Sequence, residues 1–194
     1  LRLIARHRQK LGGMLASEKN RLHKVLSDSG IRLGVLVSDV HGQAARAMVK
    51  QIIAGGSMSA VLDKAGRLRA SRQELLEALQ PEELSASHLF LLGELMAHIQ
   101  ELEARMARFE QELLKGLDEW QNELVLLQTI PGIDVMGAAM LLVEISADMH
   151  SFGSAERLAS WVGICPGNNE SAGKRKSGKT RKGNAWVRRL LCEF

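Results

Sequence analysis

The sequence predicts an all-α protein: a long helical coiled-coil region, then a C-terminal domain containing a helix–hairpin–helix and a basic Gly-rich loop. Three observations predict it. Apolar residues recur at three-, four- and seven-residue steps over much of the 194 residues. Alternating β-branched runs are almost absent, and there are only three prolines. Successive helical patterns are punctuated by Gly at their ends and by Ser or Asp at their starts. With 45% apolar residues the chain can bury a core and is not compositionally disordered. The texture changes near residue 125, so the regions are drawn as 1–124 (helical, coiled coil) and 125–194 (C-terminal domain). No internal repeat is present.

Residues 1–29 read as a helix, with Ile4, Leu11, Leu15, Leu22, Val25 and Leu26 at helical spacing. Gly12-Gly13 weakens its middle by about 1 kcal/mol per Gly relative to Ala, and Gly30 supplies a stop. Ile31 to Val37 is expected to be an extended apolar connection. Ser38 and Asp39 offer a cap for a second helix over about 39–54, closed by Gly55-Gly56. Short helices follow from Ser57 to Ala65 and from Ser71 to Leu79. Pro81 opens the longest element, about 81–129. Its seam is Leu95, Ile99, Leu102, Met106, Phe109 and Leu113, then Leu117, Trp120, Leu124 and Leu127. This is a heptad pattern with one extra four-residue step at Leu113–Leu117, a stutter. It suits equally a coiled-coil dimer and one long helix of a single-chain bundle packed on residues 1–29.

Beyond Leu127, Thr129-Ile130-Pro131-Gly132-Ile133 forms a Gly-centred turn between two helices. Asp134 caps the second helix, and Gly137, Ala138 and Ala139 permit close packing. In a helix–hairpin–helix such a turn presents backbone N–H groups to a phosphate, with Gly132 at its centre; an ordinary αα-hairpin has the same pattern. Ser154 caps a helix over about 155–163 whose buried side is Leu158, Trp161 and Val162. Gly163 ends it, and Pro166 prevents its resumption. Asn184 precedes a last helix with Trp186, Val187, Leu190 and Leu191 at apolar spacing.

The charge is polarised. The chain is +4 overall, yet residues 1–170 hold 18 Lys/Arg against 21 Asp/Glu. Between Ser171 and Arg189 lie eight bases and no acid: Lys174, Arg175, Lys176, Lys179, Arg181, Lys182, Arg188 and Arg189. Gly173, Gly178 and Gly183 are interspersed with them. Cations neutralise phosphates and release counterions, and glycines let backbone N–H groups approach phosphate oxygens. The segment therefore reads as a nucleic-acid contact surface, because a solvated basic tail would not be followed by a capped, apolar-faced helix.

Several chemistries are set aside. The sequence has no Tyr, which removes a tyrosine nucleophile. His7, His23, His41, His88, His98 and His150 lack metal-ligand spacing, and Cys165 and Cys192 show neither pairing nor metal spacing, which fits a reduced compartment. No apolar run approaches the ~20 residues of a membrane span. GKRKSGKT resembles a phosphate-binding P-loop only loosely: its residues are read as departing from the order GxxxxGK[ST], and no strand is expected before it. Glu144 and Asp148, four apart, are expected on one helical face; a solvated face is favoured over a Mg²⁺ site. Among hydroxyls, Ser171 lies in a Gly/Ala-flanked loop beside Lys174 and Arg175. Those cations could stabilise charge on a phosphate attacked by a serine oxygen, although most loop serines only form turns.

The stretch IPGIDVMGAAMLLVEISADMHSFGSAERLASWVGICPGNNESAGKRKSGKTRKGNAWVRRLL closely resembles the C-terminal transposase domain of the Piv/MooV-like DNA recombinases. These form the insertion-sequence "one-ten" class, whose full-length members work with a bridge RNA. RHRQKLGGMLASEKNRLHKVL and VSDVHGQAARAMVKQIIAG resemble the middle region of that family. The resemblance covers essentially the whole chain and is most specific over 130–191. It implies a DNA transposase that joins an N-terminal RuvC-like domain, holding an Asp-Glu-Asp-Asp Mg²⁺ site, to a coiled coil and to this domain. The domain would supply a serine that bonds covalently to DNA. The matching position is Ser171 in ESAGK, with Ser177 in KSGK as second choice. Gly173, Lys174, Gly183, Asn184 and Arg188 carry over as loop and phosphate contacts, alongside Arg175, Lys176, Lys179, Arg181 and Lys182 from the charge pattern. The implied partners are double-stranded DNA, a structured bridge RNA and further copies of the chain through 81–129, in a bacterial cytoplasm at the nucleoid, with no membrane.

No RuvC-like half is present in this sequence, so no cofactor is expected in this chain and Mg²⁺ only in that missing domain. The chain starts at Leu1 within a helical pattern. The expectation is a truncated or decayed reading frame or a piece of a larger protein, inactive alone. The competing expectation is a non-catalytic nucleic-acid-binding or oligomerisation module.

Overall fold

The computed structural model describes residues 1–37, 39–66, 68–79, 84–165, 169–180 and 182–193; for Asn169, Glu170, Ser171, Arg175 and Lys176 it describes the backbone only. Ten α-helices carry the described cores: α1 (Arg2–Asp28), α2 (Leu33–Leu36), α3 (Gln43–Ile53), α4 (Met58–Leu62), α5 (Arg72–Ala78), α6 (Ala86–Lys115), α7 (Gln121–Gln128), α8 (Val135–Ile145), α9 (Ala155–Val162) and α10 (Ala185–Glu193). The all-α expectation holds. Among the described residues the strands form one antiparallel pair, β1 (Asn169–Ser171) and β2 (Lys174–Ser177). The chain divides into two compact units. A terminal unit comprises Leu1–Gln9 with Ala107–Phe194, and a middle unit comprises Lys10–Met106. Helices α1 and α6 each contribute to both. The boundary drawn from composition, near 125, falls inside the terminal unit.

In the middle unit, α1 runs through Gly12-Gly13 without interruption and ends as the sequence indicates. Gly30 has a φ of 80°, and the Ile31 N–H reaches back to the Leu26 carbonyl at 2.9 Å, which satisfies a carbonyl at the helix end. The connection expected to be extended instead contains the one-turn helix α2, whose Leu33 is fully buried. Helix α3 starts at Gln43 rather than near 39, with Gly42 as an N-cap lacking a side-chain bond. Asp39 is used earlier, accepting the His41 N–H at 2.8 Å. Ser57 caps α4, and Ser71 with Glu74 forms a reciprocal capping box on α5. Leu22, Leu26, Met48, Val49, Leu79 and Ile99 are among the side chains that close this core.

Helix α6 begins after Ser85, whose Oγ accepts the His88 N–H at 3.2 Å, and Pro81 lies outside the described residues. The continuous 81–129 helix is not found. Helix α6 stops at Lys115, and a short 3₁₀ turn, Asp118–Trp120, leads into α7. The stop coincides with the extra four-residue step. A continuous helix could absorb that step as a stutter; with the break, Leu113 and Leu117 are both buried in the terminal unit. Leu95, Ile99 and Leu102 are likewise buried within the chain, whereas Trp120 is 40% exposed.

One ionic cluster in the middle unit has a measurable consequence. Arg46 donates to both Glu103 carboxylate oxygens, at 2.7 and 2.5 Å, and this bonding holds the Glu103 carboxyl below its usual range. Burial pushes the His41 imidazole below its ordinary pKa, and the charge of Lys19 adds to the shift. A base whose folded pKa is depressed stays neutral while the unfolded chain binds a proton at about pH 6.5. Stability should therefore fall as pH drops from 7 towards 5.5. His41→Gln should flatten thermal midpoints over that interval, read by circular dichroism. The Glu103 contribution should disappear separately, only at more acidic pH. Equal slopes for wild type and variant would show that His41 titrates normally.

Candidate functional site

In the terminal unit α8 is the central helix. Gly137 to Leu142, Glu144 and Ile145 are all buried, as expected for a helix apolar on nearly every side. It packs with α7 across the turn at Thr129–Asp134. Gly132 has a φ of 90° there, a conformation that favours Gly. The Asp134 carboxylate caps α8 through the Gly137 N–H at 2.6 Å. Turn and cap are where the sequence placed them.

The one charged side chain on the buried face of α8 is Glu144, 4% exposed. Both carboxylate oxygens are engaged by Arg6 of α1, at 2.6 and 2.9 Å. Asn184 donates its side-chain amide to the same carboxylate at 3.3 Å. Arg2 lies at 3.7 Å and also bonds the Glu144 backbone carbonyl at 3.3 Å. The Arg6 guanidinium lies over the Trp186 ring, 5.5 Å from its centroid. Bidentate pairing and the aromatic face suit a planar guanidinium, and hydrogen bonding to Glu144 raises the Arg6 pKa further above its usual value. Neither sequence reading of Glu144 survives: it is not on a solvated face, and its oxygens are already occupied by cations and an amide. Asp148 does not share its face. Helix α8 has ended by then, and Asp148 accepts the His150 N–H at 3.1 Å to open a 3₁₀ turn. Among the described residues no cluster of acids, His and Cys could hold a metal ion, so this pair does not fit Mg²⁺.

Between the two residues Ser146 adopts φ 68° and ψ 163°, a backbone region nearly reserved for Gly that costs about 1–3 kcal/mol. It helps line a cleft of about 260 Å³ with Leu1, Leu117, Trp120 and Leu142.

The basic segment begins as a hairpin rather than as the loop expected throughout. Ser171 pairs with Lys174 across a two-residue turn, Ala172-Gly173, whose φ values are 52° and 73°. Two positive φ values in a two-residue connection match the twist of antiparallel strands, and Gly at the second position is favoured there. Ser171 thus ends β1 directly before the turn; its side chain, like those of Arg175 and Lys176, is outside the described residues, as is all of Arg181. Lys174, Lys179 and Lys182 are exposed, and Arg188 is half-buried. Arg189 is paired with Glu193 at 2.9 Å. Ser177 Oγ accepts the Lys179 N–H at 3.2 Å, a turn-forming role.

The hairpin also corrects the P-loop comparison. Gly173-Lys174-Arg175-Lys176-Ser177-Gly178-Lys179-Thr180 does have the order GxxxxGK[ST]. The objection is architectural. A strand, β1, does precede it, contrary to expectation, but the four intervening residues form β2 and the next helix begins only at Ala185, so these residues are not a loop between a strand and a helix.

Gly183 and Asn184, carried over as phosphate contacts, have structural work. A Cβ on Gly183 would overlap the Val162 carbonyl group and the Gly163 nitrogen. The Asn184 N–H bonds the Trp161 carbonyl at 3.0 Å, satisfying an open acceptor at the end of α9. Its side-chain oxygen caps α10 through the Trp186 and Val187 N–H groups, at 3.0 and 3.1 Å. Ser154 and Gly163 bound α9 as expected, the latter at φ 82°. Val162 is buried but Trp161 is not: it is 40% exposed. The sequence reading missed Arg2 and Arg6, since one arginine among many on α1 gives no sign of a partner far away in the sequence. A lone acid in an otherwise apolar helix was the available signal for Glu144.

Comparison with known proteins points first to transposases. Within that class, residues 124–194 match the family model described as Transposase IS116/IS110/IS902 family. A protein described as a probable family 20 transposase, from Pseudomonas aeruginosa, is 30% identical over 129 residues, covering 64% of this chain and 38% of that protein. A putative transposase, y4pF/y4sB, from Sinorhizobium fredii is 32% identical over 94 residues, covering 47% of this chain and 23% of the relative. The chain thus spans well under half the length of either relative. No solved structure matches. No helix among the described residues is long and apolar enough to cross a membrane.

Proposed function

We propose that this chain is the nucleic-acid-engaging portion of a DNA transposase, with the hairpin Asn169–Ser177 and its basic continuation as the contact surface. One observation carries the reading: the matched family stretch, 124–194, contains the run of eight bases without an acid between Ser171 and Arg189, and Lys174, Lys179 and Lys182 in it are exposed. The Gly132 turn is a second phosphate contact in this proposal. Double-stranded DNA and a structured bridge RNA are the partners. Further copies assemble through the exposed residues of 81–129, since its heptad seam is largely buried within the chain, and the setting is a bacterial cytoplasm at the nucleoid. Ser171 is the proposed nucleophile of the complete enzyme. Its hydroxyl attacks a DNA phosphorus, forms a serine–phosphate ester and releases a deoxyribose hydroxyl that takes up the proton. Ser177 is the second choice, although its oxygen already accepts a backbone N–H. Mg²⁺ would belong to a RuvC-like domain, and no step here uses it.

A second reading, a nucleic-acid-binding module without chemistry, is favoured by Gly183 and Asn184, whose packing and bonding account for their identity without a phosphate. The first test is a salt series. Changing Lys174, Arg175, Lys176, Lys179, Arg181 and Lys182 to Gln should flatten the dependence of log affinity on log salt by about 0.9 per lost phosphate contact on duplex DNA. Weak, salt-insensitive binding by both proteins would remove the proposal. Strand exchange surviving Ser171→Ala in a full-length background would leave the second reading.

A further inference from the structure

The segment Met149–Trp161 presents an aromatic surface that the proposed phosphate contacts do not use. Phe152, half-buried, meets Trp161 edge-on, with ring centroids 5.3 Å apart and planes at 61°. Trp161 nevertheless stays 40% exposed, and Met149 and Ile164 are 43% and 44% exposed. Beside the pair runs a cleft of about 370 Å³ lined by Met149, His150, Phe152, Gly153, Ser154 and Leu158. Arg157 is exposed and reaches over Gly153, its guanidinium nitrogen 3.0 Å from where a Cβ would stand. The Asn184 N–H bonds the Trp161 backbone carbonyl, so the exposed Lys182 stands two residues from a backbone contact with Trp161. An exposed aromatic face, with an arginine four residues before it in the chain and a lysine close to its backbone, has the chemistry of a base-stacking platform: the ring takes the π-face of a base and the cations take its phosphates.

We propose that Trp161, braced by Phe152, stacks an unpaired nucleobase of a single-stranded nucleic-acid segment, with Arg157 and Lys182 on the flanking phosphates. The proposal rests on the nucleic-acid reading above and adds to it the strand state and the residue that senses it. A base inside a duplex has both faces covered by its stacked neighbours, so the platform distinguishes single-stranded from duplex segments.

The test measures binding of the intact chain to a deoxythymidine 12-mer, a uridine 12-mer and a duplex of equal length, by fluorescence anisotropy across a salt series. Trp161→Leu should weaken both single-stranded probes about tenfold, within the range found when a stacked aromatic is removed. Duplex affinity and the salt slope should be kept, because no phosphate contact is lost. Trp161→Phe should retain most of the single-strand affinity, and thermal melts of both variants guard against misfolding. Unchanged single-strand binding by Trp161→Leu, or an equal loss on duplex and single strand, overturns the platform while leaving the basic surface standing. Absence of salt-sensitive binding by the wild type overturns the underlying reading, and the platform with it.

Discussion

Arg6→Ala is expected to destabilise the terminal unit by about 3–5 kcal/mol, the range for stranding one partner of a buried ion pair. The Glu144 side chain is only 3% exposed while that of Arg6 is 34% exposed, so the two partners are not equivalent. Without Arg6 the carboxylate keeps Asn184 at 3.3 Å and the outlying Arg2 at 3.7 Å, neither a bidentate partner. Glu144→Ala, by contrast, leaves a guanidinium that can turn to water and should cost about 2 kcal/mol. Replacing both residues by Leu should recover much of the loss, because an apolar pair needs neither charge dehydrated. Urea unfolding followed by circular dichroism measures all three. Equal, sub-kilocalorie effects of the two single changes would mean that the pair is solvated.

Gly183→Ala should cost about 3 kcal/mol, at the upper end of overpacking changes. The added carbon meets the backbone of Val162 and Gly163 rather than a side chain that could swing away. The chain would have to retreat from α9, stretching the Asn184 bond to Trp161 and, through the same residue, its bonds to Glu144 and to the start of α10. Such a variant should lose nucleic-acid affinity in proportion to its unfolding, with normal affinity recovered at a temperature where it is folded. A fully folded Gly183→Ala protein that fails to bind would instead assign Gly183 to the phosphate contact.

Much of the fold is legible because its signals are local. Gly30, Ser57, Ser71, Asp134, Ser154, Gly163 and Asn184 each bound a helix through bonds spanning a few residues. The errors lie where the outcome depends on packing. Ile31–Val37 is apolar in any conformation, and only burial of Leu33 in the middle core makes α2 preferable. The Leu113–Leu117 step is compatible with a stutter in a continuous helix or with a break, and the terminal core decides for the break. At the candidate site the charge run was plain, while the hairpin was not: Ala172 is an unusual residue for a positive φ. Glu144 looked solvated because its partners, Arg6 and Asn184, stand 138 positions before and 40 after it.

The division of the chain also sets an order of events during synthesis. Lys10–Met106 is contiguous, so the middle unit has all its residues once Met106 has emerged. Leu1–Gln9 belongs to the other unit, and at about 5–20 residues per second Arg6 waits on the order of ten seconds for the residue it grips. Through that interval Ala5, buried in the finished unit, lacks the partners that bury it. A nascent chain stalled before residue 144 should leave Leu1–Gln9 without the rest of their unit, open to chaperones or proteases.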